Sequence, residues 1–99
     1  MTAGFEWDPA KRLANLRKHG IDFVDAVQVF EGAVLRVPQT RRDFGEVRII
    51  AIGLVAGKLF SVVYTPRGSM LRIISARRAN DREARAYRAI RPPETQESD

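Results

Sequence analysis

Residues 47–78 constrain the fold more than any other part of this chain. Three β-prone runs follow one another there, at 47–55 (VRIIAIGLV), 58–65 (KLFSVVYT) and 70–77 (MLRIISAR). Only Ala56-Gly57 and Pro66-Arg67-Gly68-Ser69 separate them, and both sequences suit tight turns. Strands joined by such short turns pair antiparallel, so the segment predicts a three-strand meander. The 47–55 run is apolar at odd and even positions alike, which predicts a central strand covered on both faces.

The flanking segments supply helices and two more strands. Phe5-Glu6-Trp7 is a short aromatic strand, followed by Asp8 as N-cap and Pro9 at the first helical position. That helix is expected to run to about His19 and to close at Gly20, with Leu13 and Leu16 on its buried face. Asp22 caps a second helix in which Phe23, Ala26, Val27 and Phe30 recur at i, i+3, i+4 and i+7. Gly32 ends it. Residues 33–37 form a strand stopped by Pro38, and 39–45 form a polar loop. After the meander, Asn80 with Glu83 three residues on resembles a capping box for a third helix, which runs to about Ile90 before Pro92-Pro93. The expected order is β-αα-ββββ-α: an α+β fold with helices packed on a mostly antiparallel sheet. With 99 residues there is room for one domain, expected at 1–91. The acidic tail 92–99 (PPETQESD) has no apolar residue and is expected to be disordered.

The charge is segregated. The chain has 17 Lys and Arg against 12 Asp and Glu, a formal net charge of +5. Residues 1–31 hold four bases and five acids, whereas 32–91 hold 13 bases and four acids. Fourteen of the bases are arginine, whose planar fork suits phosphate and carboxylate. A polyanionic partner follows: RNA, DNA or an acidic protein. There is no cysteine and one histidine, which excludes disulfide scaffolds, cysteine nucleophiles and multi-histidine metal sites, so no metal or cofactor is expected. No apolar run approaches the length of a membrane-spanning helix, and the expected location is the cytoplasm.

Four strings taken together resemble one family: FEWDPAKRLANLRKHGIDFVDAVQVF, RRDFGEVRIIAIGL, SVVYTPRG and LRIISARRANDREARAY. In this order they are similar to BrnT, the toxin of a type II toxin–antitoxin pair. The resemblance spans residues 5–87. It implies a RelE-like fold and a ribonuclease that arrests translation. It also implies neutralisation by a BrnA-type antitoxin, a ribbon-helix-helix DNA binder. The antitoxin–toxin complex would bind its own operator, and the ribosome is a further candidate partner.

Metal-free RNA cleavage uses the ribose 2′-hydroxyl as nucleophile, and needs a base, an acid and positive donors for the phosphorane. His19 matches the histidine of the family's KHGI string and has the one side chain whose ordinary pKa lies near neutrality. It could equally cap the last carbonyls of its helix. Glu46 and Arg48 are two apart and share a strand face, as base and phosphate clamp or as a plain surface ion pair. Arg77, at a strand end, is the favoured phosphate donor, and Arg72 a substrate-groove residue. Five positions apart, those two face oppositely unless the strand bends. Arg67 sits at a turn tip, where it can reach an RNA backbone. Arg78, Arg82 and Arg85 recur at helical spacing, and with Arg88 and Arg91 make a basic helix suited to RNA or to an acidic antitoxin segment. For each arginine the plainer role is a stem lying on apolar surface with its head in water. Tyr64, Trp7 and Phe5 are expected in the core. The competing function is a basic binding module that holds nucleic acid, or acts as antitoxin-bound co-repressor, without turnover.

Overall fold

The computed structural model describes residues 4–39 and 45–90. The elements follow the expected order: β1 (Gly4–Trp7), α1 (Pro9–His19), α2 (Phe23–Ala26) continued by a 3-10 helix (Val27–Glu31), β2 (Val34–Gln39), β3 (Arg48–Val55), β4 (Lys58–Arg67), β5 (Met70–Arg78) and α3 (Asp81–Ile90). Most of the expected 39–45 loop, Arg91 and the 92–99 tail lie outside the described residues.

The strands form one sheet in the order β1-β5-β4-β3-β2. β2 to β5 pair antiparallel, and β1 joins β5 in parallel. The 47–55 run is an interior strand, as expected, with β4 on one side and β2 on the other. β3 is covered on both faces, with Ala51, Ile52 and Gly53 all buried, which accounts for its unbroken apolar pattern. β2 continues through Pro38, which the sequence reading made its end. The sheet order leaves β2 at an edge, where a missing N–H breaks no inner ladder.

One face of the sheet carries α2 and the 3-10 helix over the main core. Phe23, Ala26, Val29, Ala51, Val62 and Ala76 are fully buried there. Asp22 caps α2 by accepting from the Val24 N–H at 3.1 Å, as expected. The most deeply buried residues are Phe23, Ala26 and Val29, and the expected Val27 and Phe30 pack against the same core, partly buried. The helix tightens to three residues per turn after Ala26, so burial recurs every third position. Gly53 permits this close approach: a Cβ there would lie 3.1 Å from the Val29 carbonyl oxygen. Trp7 packs edge-on against Phe23, and Phe30 against Tyr64, with ring centroids 5.9 and 5.2 Å apart.

α1 begins and ends where expected: Asp8 accepts from the Ala10 N–H, and Gly20 adopts φ 71°. Its buried face differs from the expectation. Leu13 and Leu16 are 52% and 40% exposed, and Asn15 is the buried residue. The reason is an unpaired strand edge. β1 accompanies β5 only as far as Ile73. At Ala76 the Asn15 carboxamide takes its place, donating to the carbonyl at 2.8 Å and accepting from the N–H at 3.1 Å. It donates also to the Ile21 carbonyl at 3.0 Å.

β4 and β5 carry one irregularity. Val63 pairs with Ser75 but Tyr64 pairs with Ile73, so Ile74 is an extra residue in the ladder, a β-bulge. α3 covers part of the second sheet face, where Tyr87 is buried and its hydroxyl donates to the Ala33 carbonyl at 3.2 Å.

Candidate active site

The second face of the sheet is organised by strand register. Ile73, Tyr64 and Ile49 point into the main core, so their neighbours Arg72, Thr65 and Arg48 point to the opposite face. Arg72 pairs with Glu6 on β1 and with Thr65 on β4. One step from the Ile49–Tyr64 pair, Arg48 is level with Thr65, and it pairs with Gln39 on β2. A single polar row, Glu6–Arg72–Thr65–Arg48–Gln39, thus crosses all five strands. At about 4.8 Å per strand, the Arg72 and Arg48 backbones stand about 10 Å apart.

Each arginine of the row has a carboxylate beside it. Arg72 Nη1 donates to Glu6 Oε2 at 3.0 Å, and both side chains are 33% exposed. Arg48 donates to Glu46 Oε2 through Nε at 3.2 Å, with Nη2 at 3.1 Å from the same oxygen. The expected Glu46–Arg48 pair forms, although Glu46 lies in a bend before β3 rather than on the strand. Thr65, between the arginines, is 3% exposed. Arg67 lies two residues beyond Thr65 on the same face, exposed at the end of β4 beside the Gly68-Ser69 turn. Four of the expected site residues, Glu46, Arg48, Arg67 and Arg72, therefore gather at one end of this face. Between them and α3 lies an apolar patch of Val37, Ile50 and Val63.

The other expected residues stand elsewhere. The bulge at Ile74 puts Arg77 on the same face as Arg72, which a straight strand would not allow. Arg77 is nevertheless level with Ser61, four residues and about 13 Å along β4 from Thr65. Its guanidinium is engaged bidentately by Glu83, Nη1 to Oε1 at 2.9 Å and Nη2 to Oε2 at 2.8 Å. The capping box forms as expected: the Glu83 N–H donates to Asn80 Oδ1 at 2.8 Å, and the Asn80 N–H to Glu83 Oε1 at 3.0 Å. Burial alone would push the Glu83 carboxyl up. The hydrogen bonds from Arg77, the Asn80 N–H and Ser61 outweigh it, and the group lies below its ordinary value. The same Glu83 hydrogen bonds push Arg77 up.

Arg78 is the last residue of β5 rather than part of a helix, so its spacing to Arg82 and Arg85 does not define one helical face. The helix cannot start earlier because Asn80 is its cap. Arg78, Arg82, Arg85 and Arg88 are exposed at the α3 end of the molecule. His19 is exposed at the C-terminal end of α1, which flanks the β5 edge, and it joins neither group. Tyr64 is a core residue, 3% exposed, whose hydroxyl accepts from Arg36 Nε at 3.1 Å.

Sequence reasoning missed three polar residues: Glu6, Thr65 and Asn15. Glu6 enters the row only through the parallel pairing of the first strand with the last, which no local pattern announces. Thr65 carried a weak signal, as a polar residue ending an apolar run. Among the described residues no group of three or more His, Asp or Glu could hold a metal ion. Among the described residues no helix is long and apolar enough to cross a membrane.

A family model described as the ribonuclease toxin BrnT of a type II toxin–antitoxin system matches residues 7–83. The chain is similar to the crystal structure of the Brucella abortus ribonuclease toxin BrnT, with 34% sequence identity and a TM-score of 0.61. That likeness covers 81% of this chain and 100% of the other. No curated protein matches the chain. The α+β fold, the order of its elements and the family match over residues 7–83 agree: the chain belongs to the BrnT family of ribonuclease toxins of type II toxin–antitoxin systems.

Proposed function

We propose that this protein cleaves RNA without a metal, by attack of the ribose 2′-hydroxyl on the adjoining phosphate, and thereby inhibits translation. The observation that carries the proposal is the row in which Arg72 and Arg48 flank Thr65, each with a carboxylate at hydrogen-bonding distance. Glu46 is the general base for the 2′-hydroxyl. Arg48 and Arg72 hold the phosphate and stabilise the charge that builds on its oxygens at the phosphorane. The leaving 5′-oxygen takes its proton from water, and Glu46 then gives up to solvent the proton it took from the 2′-hydroxyl. Arg67, projecting beyond the row, tracks the RNA backbone.

The arginines at the α3 end have a second role in this reading. Arg77 is committed to Glu83, so Arg78 and Arg82 supply the outer basic surface. That surface receives either a distal stretch of RNA or an acidic segment of the antitoxin. The antitoxin is a BrnA-type ribbon-helix-helix protein, and operator DNA is bound through its complex with this chain. His19 stands outside the row, exposed at the C-terminal end of α1.

Growth and translation test the proposal together. Expressed without its antitoxin, the protein is expected to stop growth and amino-acid incorporation, and co-expression of the antitoxin to restore both. Glu46→Ala, folded as judged by its thermal transition, is expected to relieve the arrest. Full arrest by a folded Glu46→Ala would remove Glu46 from the mechanism. Absence of arrest by the unaltered chain, with RNA still retained at low salt, would favour the non-catalytic binding module.

A further inference from the structure

We infer that Glu6 is a positioning residue of the RNA site, acting by holding the Arg72 guanidinium level with Arg48 across Thr65. The inference rests on the proposed RNA site but concerns binding, so it can be tested apart from turnover.

The geometry is specific. β1 pairs in parallel with β5 and sets Glu6 beside Arg72, one strand further out than the row's centre. Among the described residues Glu6 is the sole hydrogen-bond partner of Arg72, through one Nη at 3.0 Å. A guanidinium has five N–H donors, so the others stay available to a ligand. Arg72 is a long side chain with many rotamers, and ordering it on binding costs free energy. A carboxylate on the outer side fixes the fork before the ligand arrives. Arg48 likewise donates to a carboxylate, that of Glu46, which lies in the bend preceding β3. Glu6 lies at the β1 end of the row, on the side of Arg72 away from Thr65.

This role opposes the simple effect of charge. Removing an acid next to a polyanion site ordinarily tightens binding, because a repulsion disappears. If Glu6 positions Arg72, removing its charge loosens binding instead. The sign of the change therefore separates the two.

The test is equilibrium binding of a single-stranded 2′-O-methyl RNA oligonucleotide, which lacks the nucleophile and cannot be cleaved by 2′-attack. Arg72→Ala is expected to weaken binding and to lower the salt slope by about one counterion. Glu6→Gln, nearly isosteric, is expected to weaken it roughly threefold despite the added positive charge. In the Arg72→Ala background the sign reverses, since Glu6→Gln then only removes repulsion. Arg72→Lys, which keeps the charge but not the fork, should behave as Arg72→Ala does, though less severely. Glu31→Gln, an exposed acid outside the row, reports the charge effect alone and should tighten binding slightly. Tighter binding by folded Glu6→Gln, an equal effect with and without Arg72, or no binding by the unaltered chain would each overturn the inference. Binding with the expected signs, but no cleavage of the 2′-hydroxyl RNA, would uphold it and overturn the catalytic reading.

Discussion

Arg72 and Arg77 lie on the same face of the sheet although five residues separate them, because Ile74 bulges out of the β4–β5 ladder. Without the extra residue Arg77 would point into the main core beneath α2. With it, Arg77 meets Glu83 and fastens α3 to the sheet, while Arg72 keeps its place in the polar row beside Thr65. One bulge thus gives two arginines of the same strand different partners on the same face, Glu83 for Arg77 and Glu6 for Arg72.

Glu83 is expected to be the most sensitive surface-accessible position for α3. It closes the capping box and clamps Arg77, and its side chain is only 13% exposed. Glu83→Ala should cost about 1–2 kcal/mol in urea unfolding, through the lost cap and the freed arginine. Because the folded carboxyl lies below its ordinary value, its contribution is present above the usual carboxylate range and is lost as the pH falls through the folded value. The variant should therefore show a shallower loss of stability on acidification. An unchanged acid profile would disconnect Glu83 from the clamp.

Asp22 predicts a second acid-sensitive contact. Arg12 donates to it through Nε at 2.7 Å and Nη2 at 2.9 Å, and the Val24 N–H donates as well. The Arg12 hydrogen bond, helped by the Val24 N–H, holds the carboxyl at about 2 against an ordinary 3.8. The contact should be complete above pH 3.8 and disappear as the pH falls toward 2. The Asp22 carboxyl carbon, followed by NMR titration, should report this midpoint. A midpoint at the ordinary value would mean that the pair does not form in solution.

Asn15→Ala should cost about 2–3 kcal/mol. Asn15 is 7% exposed and satisfies both polar backbone groups of Ala76. Its removal leaves a donor and an acceptor at a strand edge with no partner. A loss below about 0.5 kcal/mol in chemical denaturation would show that water replaces the amide without penalty.

Ala56 holds φ 51° in the β3–β4 turn, ahead of Gly57 at φ 80°. Both central residues of this turn are left-handed, which an alanine adopts at a cost. Ala56→Asn should raise stability by about 0.5–1 kcal/mol and leave RNA binding alone. A decrease in the thermal midpoint would contradict the strain.

The readable parts of this fold were those that local chemistry controls. Asp8, Asp22 and Asn80 cap helices because their side chains meet N–H groups two or three residues away, and Gly20 takes a left-handed conformation that few other residues tolerate. The misread parts depend on distant partners. Leu13 and Leu16 have the spacing of a buried face, but a bare strand edge at Ala76 draws Asn15 inward instead. The order of the strands hid Glu6, since its neighbour Arg72 comes from the far end of the chain. Alternation along β5 was a sound guide to facing until Ile74, where one extra residue reversed it. The Glu46–Arg48 pair was legible because the two are close neighbours in the chain, although β3 starts only at Arg48 and Glu46 reaches it from the preceding bend.

The most direct measurement is timed cleavage of a labelled RNA by the purified chain in excess EDTA, with Arg48→Ala, Arg72→Ala and Arg82→Ala alongside. Cleavage should persist in EDTA. It should fall by about 100-fold or more in folded Arg48→Ala and Arg72→Ala, since each removes a donor to the developing phosphorane charge. Arg82→Ala, at the α3 end, should retain most of the rate. Undiminished cleavage by folded Arg48→Ala and Arg72→Ala would contradict the assignment of the polar row as the active site.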